Sequence, residues 1–176
     1  MLEKFNKNWI KILKVFFNEP KGGFHIRELS RMTGLSAPTV STIVRGLAGE
    51  SILVLKREKQ VESAYAAPGD SFRRLKQFVN LMSIHECGLV EKITLAYNYP
   101  AAVVLFGSYS RGEDTKRSDI DIGIVTKRRA DFSTARFEKK LGRKISIHEL
   151  ELEKAAPEFL NDLANGIVLE GYLKIR

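Results

Sequence analysis

Two short apolar runs separated by a polar segment constrain this 176-residue chain more than any other feature of its sequence. The first run, AAVVLFGS, ends in Gly107-Ser108, and the second, SDIDIGIVT, carries Asp119 near its start. Ten residues separate Ser108 from Asp119. Short apolar runs bounded by turn residues are typical of buried strands, so the segment predicts two neighbouring strands joined by a polar connection.

The second run alternates strictly, which places Asp119, Asp121 and Gly123 on one strand face and three isoleucines on the other. Two carboxylates side by side repel each other unless a cation lies between them. Mg²⁺ favours carboxylate and phosphate oxygens together, and Gly123 is expected to leave room for a ligand. The Gly107-Ser108 turn offers backbone amides, a hydroxyl and a nearby helix N-terminus to phosphate oxygens. The pattern therefore favours a metal and phosphate site over a plain strand connection.

The segment GSYSRGEDTKRSDIDIGIV closely resembles the Gly-Ser and Asp-x-Asp motif of the minimal nucleotidyltransferases of the DNA polymerase β superfamily. The resemblance implies transfer of a nucleoside monophosphate from a triphosphate to an acceptor hydroxyl, with pyrophosphate leaving and two Mg²⁺ ions assisting. It implies nucleotide binding by Gly107, Ser108, Arg111 and Ser118, and metal binding and catalysis by Asp119 and Asp121.

The third carboxylate of that family is absent from the place where it is expected. The family commonly has it in a stretch like GRKVDLV, and the corresponding stretch here, GRKISIHEL, has Ser146 at the aspartate position. His148 is predicted on the same strand face one pleat further on, and Glu149 on the opposite face. Three interpretations stay open: a transferase that recruits Glu149 or another acid, a nucleotide-binding protein without catalysis, and a structural relic.

The N-terminal segment has the pattern of a helix-turn-helix followed by a hairpin. Apolar residues at helical spacing predict one helix over NWIKILKVFF and two more over IRELSRMTGLSAPTVSTIVRGL, with Gly34 between them and Ser36 as a cap. Strands are predicted from Ile52 to Leu55 and through Val61 to Tyr65, with a charged turn between them. The segment resembles the winged helix-turn-helix domains of prokaryotic transcription regulators.

That second resemblance implies a nucleic-acid interface. A recognition helix would present polar side chains to the major groove, and basic residues of the wing would contact phosphates. The candidates are Thr39, Ser41, Thr42 and Arg45 on the helix, with Lys56, Arg57 and Lys59 on the wing. The alternative is a domain used for dimerisation or other protein contacts.

Composition narrows the remaining choices. The net charge of +8 at pH 7 makes a polyanionic partner plausible. One cysteine, Cys87, excludes an intramolecular disulfide framework. No apolar run approaches the length of a membrane span and the start lacks the pattern of a signal peptide, so a cytoplasmic protein without membrane association is expected. The segment from Lys127 to Lys144 holds eight basic and two acidic residues, and it is interpreted as a solvated helix or a platform for RNA or nucleotide.

Together these observations predict an α/β (α+β) protein of three parts. Residues 1–68 would form the winged helix domain, 69–99 a helical connector, and 100–176 a polymerase-β-like nucleotidyltransferase fold on a small mixed sheet. The expected partners are a nucleoside triphosphate and DNA, with RNA or protein as conceivable acceptors. The connector would pack the two halves together or pair two copies of the chain as a homodimer.

Overall fold

The computed structural model describes residues 7–58 and 61–174, and the side chain of Glu58 is excluded. The chain divides into two compact units, Met1–Arg74 and Leu75–Arg176, and the boundary falls within one helix. No helix in the described ranges is long and apolar enough to cross a membrane.

The N-terminal unit begins with three helices around a short strand. Their bounds are α1 Lys7–Asn18, β1 Gly23–His25, α2 Ile26–Thr33 and α3 Ala37–Gly49. Gly34 ends α2 in the left-handed conformation, with φ of 69°, which glycine adopts without steric cost. Ser36 caps α3 by accepting a hydrogen bond from the Thr39 amide at 3.3 Å. The predicted cap and turn are therefore both present.

A three-stranded antiparallel sheet completes this unit in the order β1-β3-β2, with β2 at Leu53–Glu58 and β3 at Val61–Ala66. The hairpin of β2 and β3 was expected from the sequence, whereas β1 was not. β1 has only three residues, too few to show an alternating pattern, and it is defined by its pairing with β3. Phe24 of β1 packs edge-on against Phe16 of α1, with ring centroids 5.2 Å apart.

The C-terminal unit is built on a four-stranded mixed sheet in the order β6-β5-β4-β7. The strands are β4 Ala102–Phe106, β5 Ile120–Val125, β6 Ile145–Leu150 and β7 Ile167–Gly171. β4 runs antiparallel to β5 and β7, whereas β5 and β6 are parallel. The helices of this part of the chain are α4 Asp70–Glu86, α5 Leu89–Ala96, α6 Gly107–Arg111, α7 Ala135–Leu141 and α8 Pro157–Ala164.

Each face of this sheet has its own apolar cluster. One face carries Val103, Leu105 and the three isoleucines of β5, which pack with residues of α4, α5 and α7. The other face carries Ala102, Val104 and Phe106, which pack with Leu163 of α8. The isoleucines therefore face the larger core, as the alternation predicts, and the opposite face is the one that bears Asp121.

The buried side of α4 is partly polar. Val79 is buried, but Phe78 and Met82 are exposed, and the polar side chains of Lys76 and Asn80 are buried. A shift of one position turns a helical residue by about 100°. Lys76 and Asn80 face inward because Asp114 and the carbonyl of Tyr109 lie there as polar partners. The spacing of apolar residues does not reveal such partners.

Candidate nucleotide and metal site

Gly107 and Asp121 are brought into contact where β4 and β5 lie side by side. The strand register pairs Phe106 with Asp121, so Gly107 follows directly beside the aspartate. Gly107 has φ of +72°, and a Cβ placed on it would lie 2.5 Å from Oδ2 of Asp121. Glycine is required at this position both by the left-handed backbone and by the close approach of the carboxylate.

The two aspartates of the motif differ in their surroundings. Asp121 lies on β5 with a side chain 30% exposed, whereas Asp119 lies just before the strand and is exposed. Ser108 is the second residue of α6 and is partly buried. The two halves of the motif therefore meet where β4 and β5 pair, and Asp121 is the less exposed of the two aspartates.

The parallel pairing of β5 and β6 decides what lies beside Asp121. Ser146 is its direct neighbour in the register, and His148 is the neighbour of Gly123. The imidazole of His148 reaches back towards the aspartate, with Nε2 at 3.7 Å from Oδ1. The position of the missing third carboxylate is thus held by a neutral hydroxyl, with an imidazole next to it.

Glu149 is turned away from this group. Its Oε1 accepts a hydrogen bond from the hydroxyl of Tyr97 at 2.7 Å. Alternation along β6 places Glu149 on the sheet face opposite to Ser146 and His148. Burial raises the pKa of the Tyr97 phenol, and its hydrogen bond to Glu149 raises it further. Glu149 therefore serves a contact on the other side of the sheet, and it is badly placed to act as a third acid.

Gly123 does not leave a space for a ligand, contrary to expectation. A Cβ on Gly123 would lie 2.5 Å from Cδ2 of Leu163. The space above this glycine is filled by α8, whose Leu163 is fully buried. Gly123 therefore lets α8 approach the sheet closely. The sequence alone does not show that Leu163 occupies the space next to this glycine.

Arg111 and Ser118 have local partners. The Nε of Arg111 donates to Glu113 at 2.8 Å, and both side chains are about half exposed. Ser118 accepts a hydrogen bond from the Thr115 amide at 3.0 Å, and the Ser118 amide donates to the Thr115 carbonyl at 3.0 Å. Ser118 thus stabilises the turn that leads into Asp119, a structural task compatible with its predicted place in the motif.

A buried ionic network underlies the same segment, and no local residue pattern predicts it. Asp114 is fully buried, with Oδ1 at 3.2 Å from Nζ of Lys76 and Oδ2 at 3.0 Å from Nη2 of Arg143. Lys76 also donates to the carbonyl of Asp114, and Asn80 donates to Oδ1 at 2.8 Å. Burial lowers the pKa of Lys76, and the charge of Asp114 opposes that shift.

The network ties α4 and the loop between α7 and β6 to the polar connection of the motif. Asn80 also donates to the carbonyl of Tyr109 at 3.0 Å, and Gln77 donates to that of Ser110 at 2.7 Å. On the other side, Arg143 reaches the carbonyl of Ser118 at 3.5 Å. The segment between Gly107 and Asp119 is therefore held by side chains from outside it, which fixes the positions of both ends.

The candidates for nucleic-acid binding belong to the N-terminal unit. On α3, Thr42 and Arg45 are exposed, and Thr39 and Ser41 are partly buried. Thr42 donates to the carbonyl of Pro38 at 3.1 Å, and Arg45 lies 3.7 Å from a carboxylate oxygen of Glu62 on β3.

Of the candidates predicted for the wing, Lys56 and Arg57 lie in the last part of β2. Lys56 lies over the ring of Tyr65, 5.2 Å from its centroid, and Arg57 is exposed. Lys59 falls outside the described residues.

Comparison with known proteins identifies the C-terminal part. Residues 87–165 match the family model described as a nucleotidyltransferase domain. That range includes both halves of the motif and the β6 strand with Ser146 and His148. No curated protein matches the chain. The predicted nucleotidyltransferase domain is therefore confirmed for residues 87–165, which contain β4, β5 and β6.

Replacing Gly107 by alanine is expected to destabilise the protein and to weaken nucleotide binding, because the new Cβ would displace the carboxylate of Asp121. A left-handed backbone alone costs a non-glycine residue about 1–2 kcal/mol. Gly142 offers a matched control, since its φ is +67° and a Cβ there would meet nothing within 4 Å. Both variants are expected to lose a similar unfolding free energy in urea, whereas only Gly107→Ala should weaken the binding of a triphosphate analogue in titration calorimetry. Equal binding by the two variants would contradict the contact.

Proposed function

We propose that the C-terminal domain transfers a nucleoside monophosphate from a nucleoside triphosphate to an acceptor hydroxyl, and that the N-terminal unit is a winged helix that binds duplex DNA. In this scheme residues 1–68 are the winged domain, 69–99 the connector and 100–176 the transferase. The nucleotidyltransferase match supports the chemistry. The observation that carries the proposal is the contact of the Asp121 carboxylate with Gly107, which joins the two halves of the motif.

The proposed roles of the residues follow from their positions. Gly107 and Ser108 bind the phosphates of the nucleotide, with Arg111 and Ser118 on the same polar connection. Asp119 and Asp121 hold the divalent ion, for which the family typically uses Mg²⁺. The ion supplies neutralisation of phosphate charge and a more acidic acceptor hydroxyl. The two carboxylates fit that role, although the described residues include no group of three or more His, Cys, Asp or Glu side chains that could hold a metal.

The test of this function is the release of pyrophosphate. The protein is incubated with labelled ATP, CTP, GTP or UTP, a divalent ion, and candidate RNA, DNA and protein acceptors. With at least one of the four triphosphates, we expect that pyrophosphate is released and that the acceptor becomes labelled. Turnover no higher than that of an Asp119→Asn/Asp121→Asn double variant would contradict the transferase.

A second function, nucleotide binding without catalysis, is favoured by one observation. Asp121 has Ser146 as its neighbour on β6, and Glu149 is bound to Tyr97 on the opposite face. A positioned general base is typically worth about 10²–10⁴ in rate, so its loss would slow chemistry more than it weakens binding. The protein would then be a DNA-binding regulator that senses a nucleotide, and binding of a triphosphate analogue without pyrophosphate release would identify it.

For the DNA-binding unit, we expect that Lys56→Ala/Arg57→Ala weakens binding to duplex DNA and flattens its dependence on salt. Each phosphate contact contributes about 0.9 to the slope of log K against log salt, so two lost contacts should lower the slope by about 1.8. The measurement is fluorescence anisotropy of labelled duplex DNA at several salt concentrations.

Lys11→Ala/Lys14→Ala provides the control for that experiment. These lysines are exposed on α1 of the same unit, so the variant removes the same charge from another place. Equal weakening by both double variants would reveal a general charge effect and would remove the proposed wing interface. Absence of any DNA binding at low salt would remove the DNA-binding function altogether.

A further inference from the structure

His148 lies close to Asp121, and the motif does not account for it. It lies on the same face of the sheet as Asp121, one pleat beyond Ser146 on β6. Its Nε2 is buried and forms no hydrogen bond with the described residues, although it points to Oδ1 of Asp121 at 3.7 Å. A buried imidazole nitrogen without a hydrogen bond needs an explanation, because such groups are normally satisfied.

The separation of 3.7 Å itself suggests what is missing. It is longer than the range of about 2.7–3.2 Å for a hydrogen bond. Two donors that bind one ion at about 2.1 Å each lie roughly 3.0–3.7 Å apart for ordinary coordination angles. At 3.7 Å the nitrogen and the carboxylate oxygen lie at the long end of this range, so a cation bound by both would draw the two groups slightly closer together.

The imidazole is held in this orientation by aromatic neighbours. Its ring lies 5.3 Å from that of Phe106 and 5.6 Å from that of Phe159, measured between centroids. The two phenylalanine rings also pack edge-on against each other at 5.3 Å. One neighbour comes from β4 and the other from α8, so the histidine is fixed by two elements of the fold rather than by its own strand.

The pair of donor atoms, Nε2 of His148 and Oδ1 of Asp121, differs from the all-oxygen set that Mg²⁺ prefers. Mg²⁺ is a hard cation bound through oxygen, whereas imidazole nitrogen suits transition metals. Ser146 in place of a carboxylate also removes a negative charge that would attract Mg²⁺. Mn²⁺ shares the preference of Mg²⁺ for carboxylate and phosphate oxygen, but as a first-row transition ion it binds nitrogen more readily than Mg²⁺ does, which matches Asp121, a triphosphate and His148.

We propose that Asp121 and His148 together ligate a divalent transition metal, with Mn²⁺ as the type, and that the site prefers it to Mg²⁺. The remaining ligands are phosphate oxygens of the nucleotide, water and the exposed carboxylate of Asp119. The inference rests on the proposed nucleotide site and changes its metal. His148 then takes the place beside Asp121 that a third carboxylate holds in related enzymes.

Direct detection of nitrogen on the metal tests the inference without any substitution. Mn²⁺ is added to the full chain together with inorganic tripolyphosphate, which contains no nitrogen, and electron spin echo envelope modulation is recorded. The expected spectrum shows coupling to ¹⁴N, which is replaced by ¹⁵N coupling when the protein is labelled at histidine. Bound Mn²⁺ without nitrogen coupling would overturn the proposal.

Affinity measurements provide the second readout. Free Mn²⁺ is followed by its electron paramagnetic resonance signal, with Mg²⁺ as a competitor and tripolyphosphate present. His148→Gln is expected to lower the affinity for Mn²⁺ by about tenfold or more, the scale on which metal-site partners act. His85→Gln makes the same change at an exposed histidine of α4 and should leave the affinity unchanged. Equal affinities for the wild type and His148→Gln would overturn the assignment.

Ser146→Asp provides a complementary variant. It places a third carboxylate directly beside Asp121 in the register, and it is expected to shift the preference towards Mg²⁺. An unchanged preference in this variant would also count against the inference.

These outcomes separate the metal assignment from the transferase function. Histidine-dependent Mn²⁺ binding without pyrophosphate release would leave the metal site standing and reject the transferase. If pyrophosphate is released with Mg²⁺ and the rate is the same in His148→Gln, the transferase function stands and the assignment of His148 to the metal is rejected.

Discussion

Asp121→Asn is expected to reduce pyrophosphate release at least about 100-fold, the scale observed when one preorganised electrostatic contact to a transition state is removed. Asparagine has the shape of aspartate but lacks its charge, so the contact with Gly107 can be kept while the metal loses an anionic ligand. The rate is measured as labelled pyrophosphate formed under saturating nucleotide and metal.

The control for Asp121→Asn is Asp162→Asn. Asp162 is exposed on α8, the helix that packs on the same face of the sheet, so this variant makes the same chemical change in the same domain. It should retain the wild-type rate. A wild-type rate in Asp121→Asn as well would exclude Asp121 as a metal ligand, and a loss in both variants would point to an effect of net charge.

Asp114→Asn is expected to lower the free energy of unfolding by about 3–5 kcal/mol, the usual cost of breaking a buried ion pair from one side. Asp114 is the anion between the buried cations of Lys76 and Arg143, at 3.2 and 3.0 Å. Its removal leaves two positive charges in a site that excludes water. The free energy of unfolding is measured in urea. Asp131→Asn serves as the control: it makes the same change at an exposed position of the same unit and should change the free energy of unfolding by less than about 0.5 kcal/mol.

The loss in Asp114→Asn should also become smaller as the pH rises from 7 towards 10. Burial lowers the pKa of Lys76 from its ordinary value of 10.5 even with Asp114 present. Without Asp114 that pKa falls further, so between this lowered pKa and 10.5 the unfolded chain binds more protons than the folded one. Stability therefore increases with pH through this window. A loss that grows with pH would contradict the role of Lys76 as a buried cation.

Asp114→Asn and Asp121→Asn test different features of the candidate site. The network of Asp114 holds the segment between Gly107 and Asp119 through Asn80 and Arg143, so its loss should lower nucleotide affinity as well as stability. Asp121→Asn leaves that network intact and should lower the rate with little change in unfolding free energy. Stability and rate measured on both variants thus separate positioning from chemistry.

The sequence predicted the strands and helices most reliably where one periodicity was clear. The alternation of Asp119 to Ile124 correctly placed the isoleucines of β5 on one face of the strand, because a strand must present alternate residues to alternate faces, and the structure shows that this face lies in the larger core. The cap at Ser36 and the turn at Gly34 were found because each depends on a few neighbouring residues. β1 was missed because three residues carry no period.

The interpretation failed where a residue's environment comes from distant parts of the chain. Apolar spacing along α4 carries no sign that Lys76 and Asn80 are buried, because their partner Asp114 lies nearly forty residues later in the chain. Gly123 was expected to make room for a ligand, but α8 folds back so that Leu163 fills that room.

The sequence by itself determined that this chain carries the Gly-Ser and Asp-x-Asp motif, and that Ser146 stands where a third acid is expected. Both conclusions rest on residue type and local spacing, which a linear sequence records. Only the tertiary structure decided what surrounds Asp121, because the parallel register of β6 and the return of α8 bring Ser146, His148 and Phe159 to it. Distances between residues that are far apart in the chain, such as the 3.7 Å from His148 to Asp121, depend on strand pairing and packing and leave no local signal.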